Sequence, residues 1–248
     1  MPQEWLAIIE GNTHHRWGWF RANQLQKVEA FSPLEAPDWP ENQEIWLASV
    51  GRPVYQRITS QQIVRLQLSD VPLAGLYANL GLDRALALLA AGWRYSWPSL
   101  VIDGGTALTL TAADGKGRFV GGAILPGLAL QARALHEYTV ALPNVDFTAD
   151  IPEGEWRVAC KTRWGMNTQD AIHSGILRTV VAGLADFVQD WWGSYPNGCL
   201  VVTGGDSPLL SRWLGWHLSN TLPQCQVQRD PDLVLQGIAI CRANKVPP

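Results

Sequence analysis

The segment SLVIDGGTALTLT, residues 99 to 111, decides the predicted fold because an apolar run ends in a turn of Asp, two glycines and Thr. Leu100 to Ile102 predict a buried strand, since short apolar runs bounded by turn residues are typical of strands. Asp103 to Thr106 predict the turn, and Ala107 to Thr111 predict the next strand. The segment is therefore interpreted as two consecutive strands joined by a glycine turn.

The same local design occurs twice more in the chain. Leu6 to Ile9 run into Glu10-Gly11-Asn12-Thr13, which is again followed by a strand pattern at 17–20. Cys199 to Val202 run into Thr203-Gly204-Gly205-Asp206. Because the segment at 99 echoes the one at the start, we predict two domains, at residues 1–98 and 99–248.

Three segments between these strands predict helices. Asp83 to Trp93 carry Ala or Leu at almost every position, which indicates a buried helix. Leu128 to Tyr138 follow Pro126, a residue that the first turn of a helix tolerates. Apolar residues recur at helical spacing from 176 to 191, with Gly193 as the expected end. The predicted strands and helices together predict an α/β protein.

Composition excludes some classes of function. The chain has 248 residues, of which 47% are hydrophobic and 17% charged, and its net charge is −3. No broad basic field is available for nucleic acid or an anionic membrane, so neither is expected as a partner. Any phosphate site therefore has to be built from backbone N–H groups rather than from massed lysines.

Cysteine spacing and the start of the chain bear on the compartment. The four cysteines lie far apart with no Cys-x-x-Cys pair, which favours reduced thiols. The apolar stretch from Trp5 to Ile9 is shorter than the apolar region of a signal peptide, and a membrane helix needs about 20 residues. We therefore expect a cytoplasmic protein.

The glycine turns have a chemistry of their own. Glycine lets backbone N–H groups approach a ligand closely, and such concave sets of donors bind phosphate without a net positive charge. No Gly-x-x-x-x-Gly-Lys-Ser/Thr loop is present, and no Gly-x-Gly-x-x-Gly opens a helix after a strand. One such turn is more often ordinary turn geometry, but three at strand ends favour nucleotide binding.

Two aspartates are candidates for the chemistry of a kinase, which needs a base for the acceptor hydroxyl and a means of neutralising phosphoryl charge. Asp103 ends an apolar strand, where a carboxylate is costly unless it holds a cation or accepts hydrogen bonds. Asp83 precedes Arg84 and an apolar helix. It is either the general base or the N-cap of that helix, and residue pattern alone leaves both open.

At this point the motifs, taken together and in order, resemble those of the type III pantothenate kinases. The matching motifs are Gly11-Asn12-Thr13, Leu80-Gly81-Leu82-Asp83-Arg84, Asp103-Gly104-Gly105-Thr106-Ala107, Gly121-Gly122-Ala123-Ile124-Leu125-Pro126-Gly127, Asn167-Thr168 and Thr203-Gly204-Gly205-Asp206. The resemblance spans nearly the whole chain. It implies two ribonuclease H-like domains of the actin-like ATPase fold, with ATP in the cleft between them, and a homodimer.

The resemblance also implies an activity, namely the phosphorylation of pantothenate by ATP with Mg²⁺, the first step of coenzyme A synthesis. It makes Asp83 the general base and Asp103 the ligand of a monovalent cation, potassium or ammonium. The expected substrate contacts are Gly81, Leu82, Asp83, Arg84, Tyr77 and, from the neighbouring subunit, Thr168. The expected ATP contacts are Ile9, Glu10, Gly11, Asn12, Thr13, His14, His15, Arg16 and Thr106.

One position departs from the family pattern. The first turn of the family usually reads Asp-x-Gly-Asn-Thr, and here Ile9 stands at the Asp position. Glu10 is adjacent, but neighbouring side chains of a strand point to opposite faces. This departure keeps open a catalytically silent relative that binds nucleotide or pantothenate and acts through a partner. Another small-molecule kinase on the same fold is a further alternative.

Overall fold

The computed structural model describes residues 4–11, 15–31, 43–50, 63–147 and 163–245. Asn12, Thr13 and His14, which are among the expected ATP contacts, lie outside these residues. The described part of the chain is a mixed α/β structure with two five-stranded sheets.

The first sheet is formed by the N-terminal part of the chain. Its strands are β1 (Glu4–Glu10), β2 (His15–Arg21), β3 (Gln24–Phe31), β4 (Glu44–Ser49) and β5 (Ile63–Arg65). They lie in the order β3-β2-β1-β4-β5. The first three strands form an antiparallel meander, whereas β4 and β5 run parallel to β1.

The second sheet repeats this topology. Its strands are β6 (Ser99–Gly104), β7 (Ala107–Ala113), β8 (Phe119–Pro126), β9 (Cys199–Thr203) and β10 (Val227–Arg229), in the order β8-β7-β6-β9-β10. Again a meander of three antiparallel strands is followed by two strands parallel to the first one. The glycine turns at residues 11, 104 and 204 therefore lie at corresponding strand ends.

Five α-helices accompany the sheets within the described residues. They are α1 (Leu82–Arg94), α2 (Leu128–Glu137), α3 (Thr168–Ser194), α4 (Ser207–Thr221) and α5 (Leu233–Lys245). The first three were predicted from the sequence to within a few residues at most ends, although α3 begins about two turns before its apolar repeat. Helices α4 and α5 and strands β3, β5, β8 and β10 were not predicted.

Helix α1 lies between the two sheets, which explains why it is apolar on nearly all sides. Leu86 and Leu89 pack with β1 and α5 in the core of the first sheet, while Leu88 and Ala91 pack against β6 and β9 of the second. Helix α5 thus returns the chain to the first sheet. The division into domains 1–98 and 99–248 remains a prediction.

Helix α3 is, among the described helices, the one whose length and composition would also suit a membrane span. Its buried residues, from Ile172 to Trp192, belong to the core cluster of the second sheet. A buried apolar stripe of this kind is the pattern of a core helix.

Candidate active site

The turns after β6 and β9 lie directly against each other. The backbone N–H of Asp206 donates to the carbonyl oxygen of Gly104 over 2.9 Å. Gly204 has a φ of +86°, and a Cβ there would lie 2.3 Å from Oδ1 of Asp103. Glycine is therefore required at 204, both for its backbone conformation and for the close approach of the Asp103 carboxylate.

This packing brings carboxylates together at the end of the second sheet. Burial, the charge of Asp83 and the charge of Asp206 raise the pKa of Asp103 to about 7, while the charge of Arg16 opposes the rise. Burial also raises the pKa of Asp206 to about 6. The carboxylates of Asp83 in α1, Asp103 in β6 and Asp206 in the turn after β9 thus act on one another in one region. Asp206 was part of a motif noted in the sequence, but no role was predicted for it.

Asp83 lies in the first turn of α1 on the other side of this region. The N-cap of α1 is Gly81, so the interpretation of Asp83 as the N-cap is wrong. The Oδ1 atom of Asp83 instead accepts the backbone N–H of Arg84 over 2.8 Å. Burial raises the pKa of this carboxyl group, and the N–H and charge of Arg84 oppose the rise. A partly buried carboxylate with increased proton affinity suits a general base.

Arg84 is buried and reaches from α1 into the second sheet. Its Nε donates to Oγ1 of Thr111 over 3.0 Å, and its Nη2 donates to the carbonyl oxygen of Leu110 over 3.0 Å. Its Nη1 donates to the hydroxyl of Tyr77 over 3.2 Å. All three acceptors are neutral oxygens. The structure thereby links two residues that were predicted to contact substrate, Tyr77 and Arg84.

The end of β1 explains how the departure at Ile9 is accommodated. Ile9 packs in the core cluster that contains Leu82 of α1 and residues of α5. Glu10 points to the opposite face, as strand alternation requires, and is fully buried. Its register partners are His15 on β2 and Ser49 on β4. Glu10 therefore does not supply a carboxylate on the side where Ile9 lies.

Arg16, at the start of β2, connects the first sheet to the second half of the chain. Its Nη2 lies 2.5 Å from Oδ1 of Asp232, and its Nη1 donates to the carbonyl oxygen of Pro231 over 2.5 Å. Asp232 directly precedes α5, and its carbonyl oxygen accepts the N–H of Gln236. The guanidinium group is thus already paired with a carboxylate.

Two threonines of the predicted site lie at exposed positions. Thr106 is in the turn between β6 and β7, and its carbonyl oxygen accepts the backbone N–H of Gly127 over 3.0 Å, beside the start of α2. Thr168 is the first residue of α3 and is exposed. Asn167 caps that helix by accepting the N–H of Asp170 over 2.9 Å.

The described residues were also considered as cation ligands. They contain no group of three His, Cys, Asp or Glu side chains arranged to hold a metal ion. Mg²⁺ in nucleotide sites is commonly bound by only one or two carboxylates together with phosphates and waters. The charges of Asp103 and Asp206 repel each other, so a cation bound beside them, divalent or monovalent, would relieve the repulsion.

Solved structures of similar shape show the fold class. A ROK family glucokinase from Streptomyces griseus, in complex with glucose and AMPPNP, matches with a TM-score of 0.53 at 11% identity, over 96% of this chain and 98% of that one. The activator of 2-hydroxyisocaproyl-CoA dehydratase from Clostridium difficile, with bound ADPNP, matches with a TM-score of 0.54 at 11% identity, over 97% and 94%. The protein has the actin-like ATPase and sugar kinase fold, as predicted.

Sequence comparison then identifies the family. The profile of the type III pantothenate kinases matches residues 40–190. A type III pantothenate kinase of Synechococcus sp. (strain JA-3-3Ab) is 52% identical over 97% of this chain and 93% of its own length. That of Gloeobacter violaceus is 44% identical over 95% and 97%. The chain belongs to the type III pantothenate kinase family, which confirms the resemblance seen in the motifs.

Proposed function

We propose that this kinase transfers the γ-phosphoryl group of ATP to the primary hydroxyl of pantothenate, with Asp83 as the general base. The observation that supports this most directly is the pair Asp83 and Arg84 at the start of α1. A carboxylate of raised pKa, whose charge acts on Asp103 at the end of β6, directly precedes a buried arginine.

Arg84 binds the carboxylate of pantothenate in this proposal. A buried cation is costly unless an anion compensates it, and the three protein acceptors of Arg84 are neutral. A guanidinium group has five N–H donors, so these contacts leave donors for a ligand. An acceptor substrate that carries a carboxylate would pair with these remaining donors.

Asp83 takes the proton of the acceptor hydroxyl. As the oxygen of that hydroxyl forms its bond to the γ-phosphorus, the proton passes to Oδ of Asp83, and the bond from phosphorus to the β,γ-bridging oxygen breaks to release ADP. The raised pKa of Asp83 makes its carboxylate a better proton acceptor than an exposed aspartate. Positioning and electrostatic stabilisation supply most of the remaining rate.

The glycine turns and the carboxylates that end the second sheet form the nucleotide side. Gly11, Arg16 and Thr106 contact ATP in this proposal, with Mg²⁺ bound to its phosphates, whereas Ile9, Glu10 and His15 are buried. Asp103 holds a monovalent cation, potassium or ammonium, and Asp206 lies beside it. Such cations neutralise charge that develops on the transferred phosphoryl group.

A homodimer completes the substrate site in this proposal. Thr168 is exposed at the start of α3, and beside it Trp164 and Met166 expose 80% and 91% of their surfaces. Large exposed apolar side chains next to a predicted substrate residue favour association with a second copy. We also propose that the protein is cytoplasmic, where the free thiols of Cys199, Cys225 and Cys241 remain reduced.

A coupled ADP-release assay tests the proposal. Purified protein is mixed with magnesium-ATP and pantothenate, with potassium present or replaced by sodium, and its mass in solution is measured by light scattering. We expect ADP release that requires pantothenate and is stimulated by potassium, from a protein of twice the mass of the chain.

The alternatives give other outcomes. Folded protein that releases no ADP with pantothenate would favour the silent relative, with Ile9 as the suspected cause. Release with a sugar or acetate instead would indicate another small-molecule kinase. Activity that is the same in sodium would remove the monovalent cation from Asp103.

A further inference from the structure

The orientation of Arg84 depends on strand β7 of the second sheet. Thr111 and Leu110 supply two of the three oxygens that hold its guanidinium group. Thr111 is 1% exposed, so its hydroxyl has no access to bulk water. Strand β7 therefore positions a side chain that belongs to helix α1, which packs on the second sheet.

Strand β8 leaves room for the same side chain. Gly122 is the register partner of Thr111. A Cβ at Gly122 would lie 2.2 Å from the carbonyl oxygen of Leu110 and 2.5 Å from Nη2 of Arg84. Any other residue at 122 would displace the guanidinium group or the strand. This gives a physical reason for the second glycine of the motif at 121–127.

We infer from this geometry that Thr111 is a positioning residue, whose hydroxyl sets the plane of the Arg84 guanidinium group so that its remaining donors meet the carboxylate of the acceptor. The inference rests on the proposed function, in which Arg84 binds that carboxylate. Nothing in the motifs of the sequence points to Thr111, because it follows the turn by several residues and reads as an ordinary strand residue.

The hydroxyl is the part of Thr111 that matters. It accepts the Nε–H bond, and the Nε contact together with the Nη2 contact fixes the plane of the guanidinium group. Valine has nearly the same shape but cannot accept this bond, whereas serine keeps the hydroxyl and loses only a methyl group. With valine, the guanidinium group can rotate about its last side-chain bonds and meets the substrate carboxylate less often in the right geometry.

Selectivity for the carboxylate is the measurement that separates positioning from general damage. The assay compares pantothenate with pantothenol, its analogue in which the carboxylate is replaced by a hydroxymethyl group. We expect Thr111→Val to raise KM for pantothenate about tenfold, as loss of a hydrogen bond to a charged group does. The ratio of kcat/KM for pantothenate over pantothenol should fall by a similar factor, while KM for ATP stays within about twofold.

Three variants make the comparison specific. Thr111→Ser should restore the selectivity ratio to within about twofold of the wild type. Arg84→Lys, which has no planar fork, sets the value expected when the contact is lost completely. Thr221→Val is the matched control, because the hydroxyl of Thr221 also accepts a side-chain N–H, from Gln189 over 3.2 Å, at the end of α4. Thr221→Val should leave kcat and KM unchanged with both pantothenate and pantothenol.

Each outcome decides the matter. If Thr111→Val is folded by circular dichroism and loses activity equally with pantothenate and pantothenol, Thr111 is only structural and the inference is wrong. If that variant does not fold, Thr111→Ala is judged by the same ratio. If the wild type shows no preference for pantothenate over pantothenol, the proposed role of Arg84 is wrong. The inference about Thr111 is then wrong as well. A selective wild type with an equally selective valine variant overturns the inference alone.

Discussion

The two sides of the proposed active site differ in what the fold has already completed. On the proposed acceptor side, formed by Asp83, Arg84 and Thr111, the arginine and the threonine are buried, Asp83 is partly buried, and direct hydrogen bonds join the three residues. On the nucleotide side, formed by Asp103, Asp206 and the turns around them, carboxylates repel one another. The acceptor side is thus preorganised, whereas the nucleotide side depends on charges that ligands bring.

This difference suggests where variants act. Groups fixed by packing lose function through altered geometry or chemistry, and the loss is large because nothing else can replace them. Groups held by electrostatics respond to pH, salt and bound cations, and their individual effects are smaller. The two arginines illustrate the contrast, since Arg84 is buried among neutral acceptors while Arg16 is paired with Asp232.

The largest effect is expected for Asp83→Asn, on the acceptor side. The amide keeps the size of the side chain but cannot accept the proton of the substrate hydroxyl. We expect kcat to fall about 10²- to 10⁴-fold, with KM for ATP nearly unchanged. Steady-state kinetics with pantothenate measure both values.

Asp186→Asn, at an exposed position of α3, is the control for this variant and should keep wild-type kinetics. Full turnover by Asp83→Asn would show that another group takes the proton. It would also remove the reason for treating the acceptor side as the preorganised one.

The elements that carry most of the candidate site residues could be predicted from local sequence. The apolar runs that end in glycine turns identified β1, β6 and β9, and the run of Ala and Leu identified α1. These signals are local, since a strand, a turn and a helix each depend on neighbouring residues. The candidate residues Asp83, Arg84 and Asp103 lie on those same elements, which is why the region could be located.

The contacts between elements could not be predicted in this way. Asp206 meets Asp103 because β9 pairs with β6, although the two strands are far apart in sequence. Arg84 meets Thr111 because α1 packs on the second sheet. Strand β3 was missed because half of its residues are polar and all of them are at least partly exposed, so its apolar pattern is weak. Such features follow from tertiary packing rather than from local propensity.

An intermediate effect is expected for Asp103→Asn, measured as stability. Burial and neighbouring carboxylates raise the pKa of Asp103 from 3.8 to about 7. The stability that its protonated form provides is present below about pH 4 and is lost as the pH rises towards 7. Without potassium, the free energy of unfolding of the variant relative to the wild type should therefore increase between pH 5 and pH 8. The expected increase is on the order of 2 kcal/mol, or about 4 to 8 °C in Tm.

Thermal melts in choline chloride and in potassium chloride of equal ionic strength test this prediction and the cation together. Potassium should stabilise the wild type at pH 8 and leave Asp103→Asn unaffected. A difference in Tm that is the same at pH 5 and pH 8 would mean that Asp103 is not strained by its neighbours. The nucleotide side would then be as complete as the acceptor side.

The smallest effect is expected for Arg16→Ala, which tests the comparison between the two arginines. Arg16 and Asp232 are partly exposed, at 33% and 28% of their side-chain surfaces, and exposed ion pairs contribute about 0.2 to 1 kcal/mol. Because this guanidinium group already has a carboxylate partner, we expect KM for ATP to rise less than about fivefold.

Arg21→Ala is the matched control, since Arg21 pairs with Glu4 over 2.8 Å at the other end of the same hairpin. This variant should leave KM for ATP unchanged. A rise of about 100-fold for Arg16→Ala alone would mean that ATP draws Arg16 away from Asp232. Arg16 would then bind an anionic ligand, as Arg84 does in the proposal. The contrast between the two arginines would therefore be wrong.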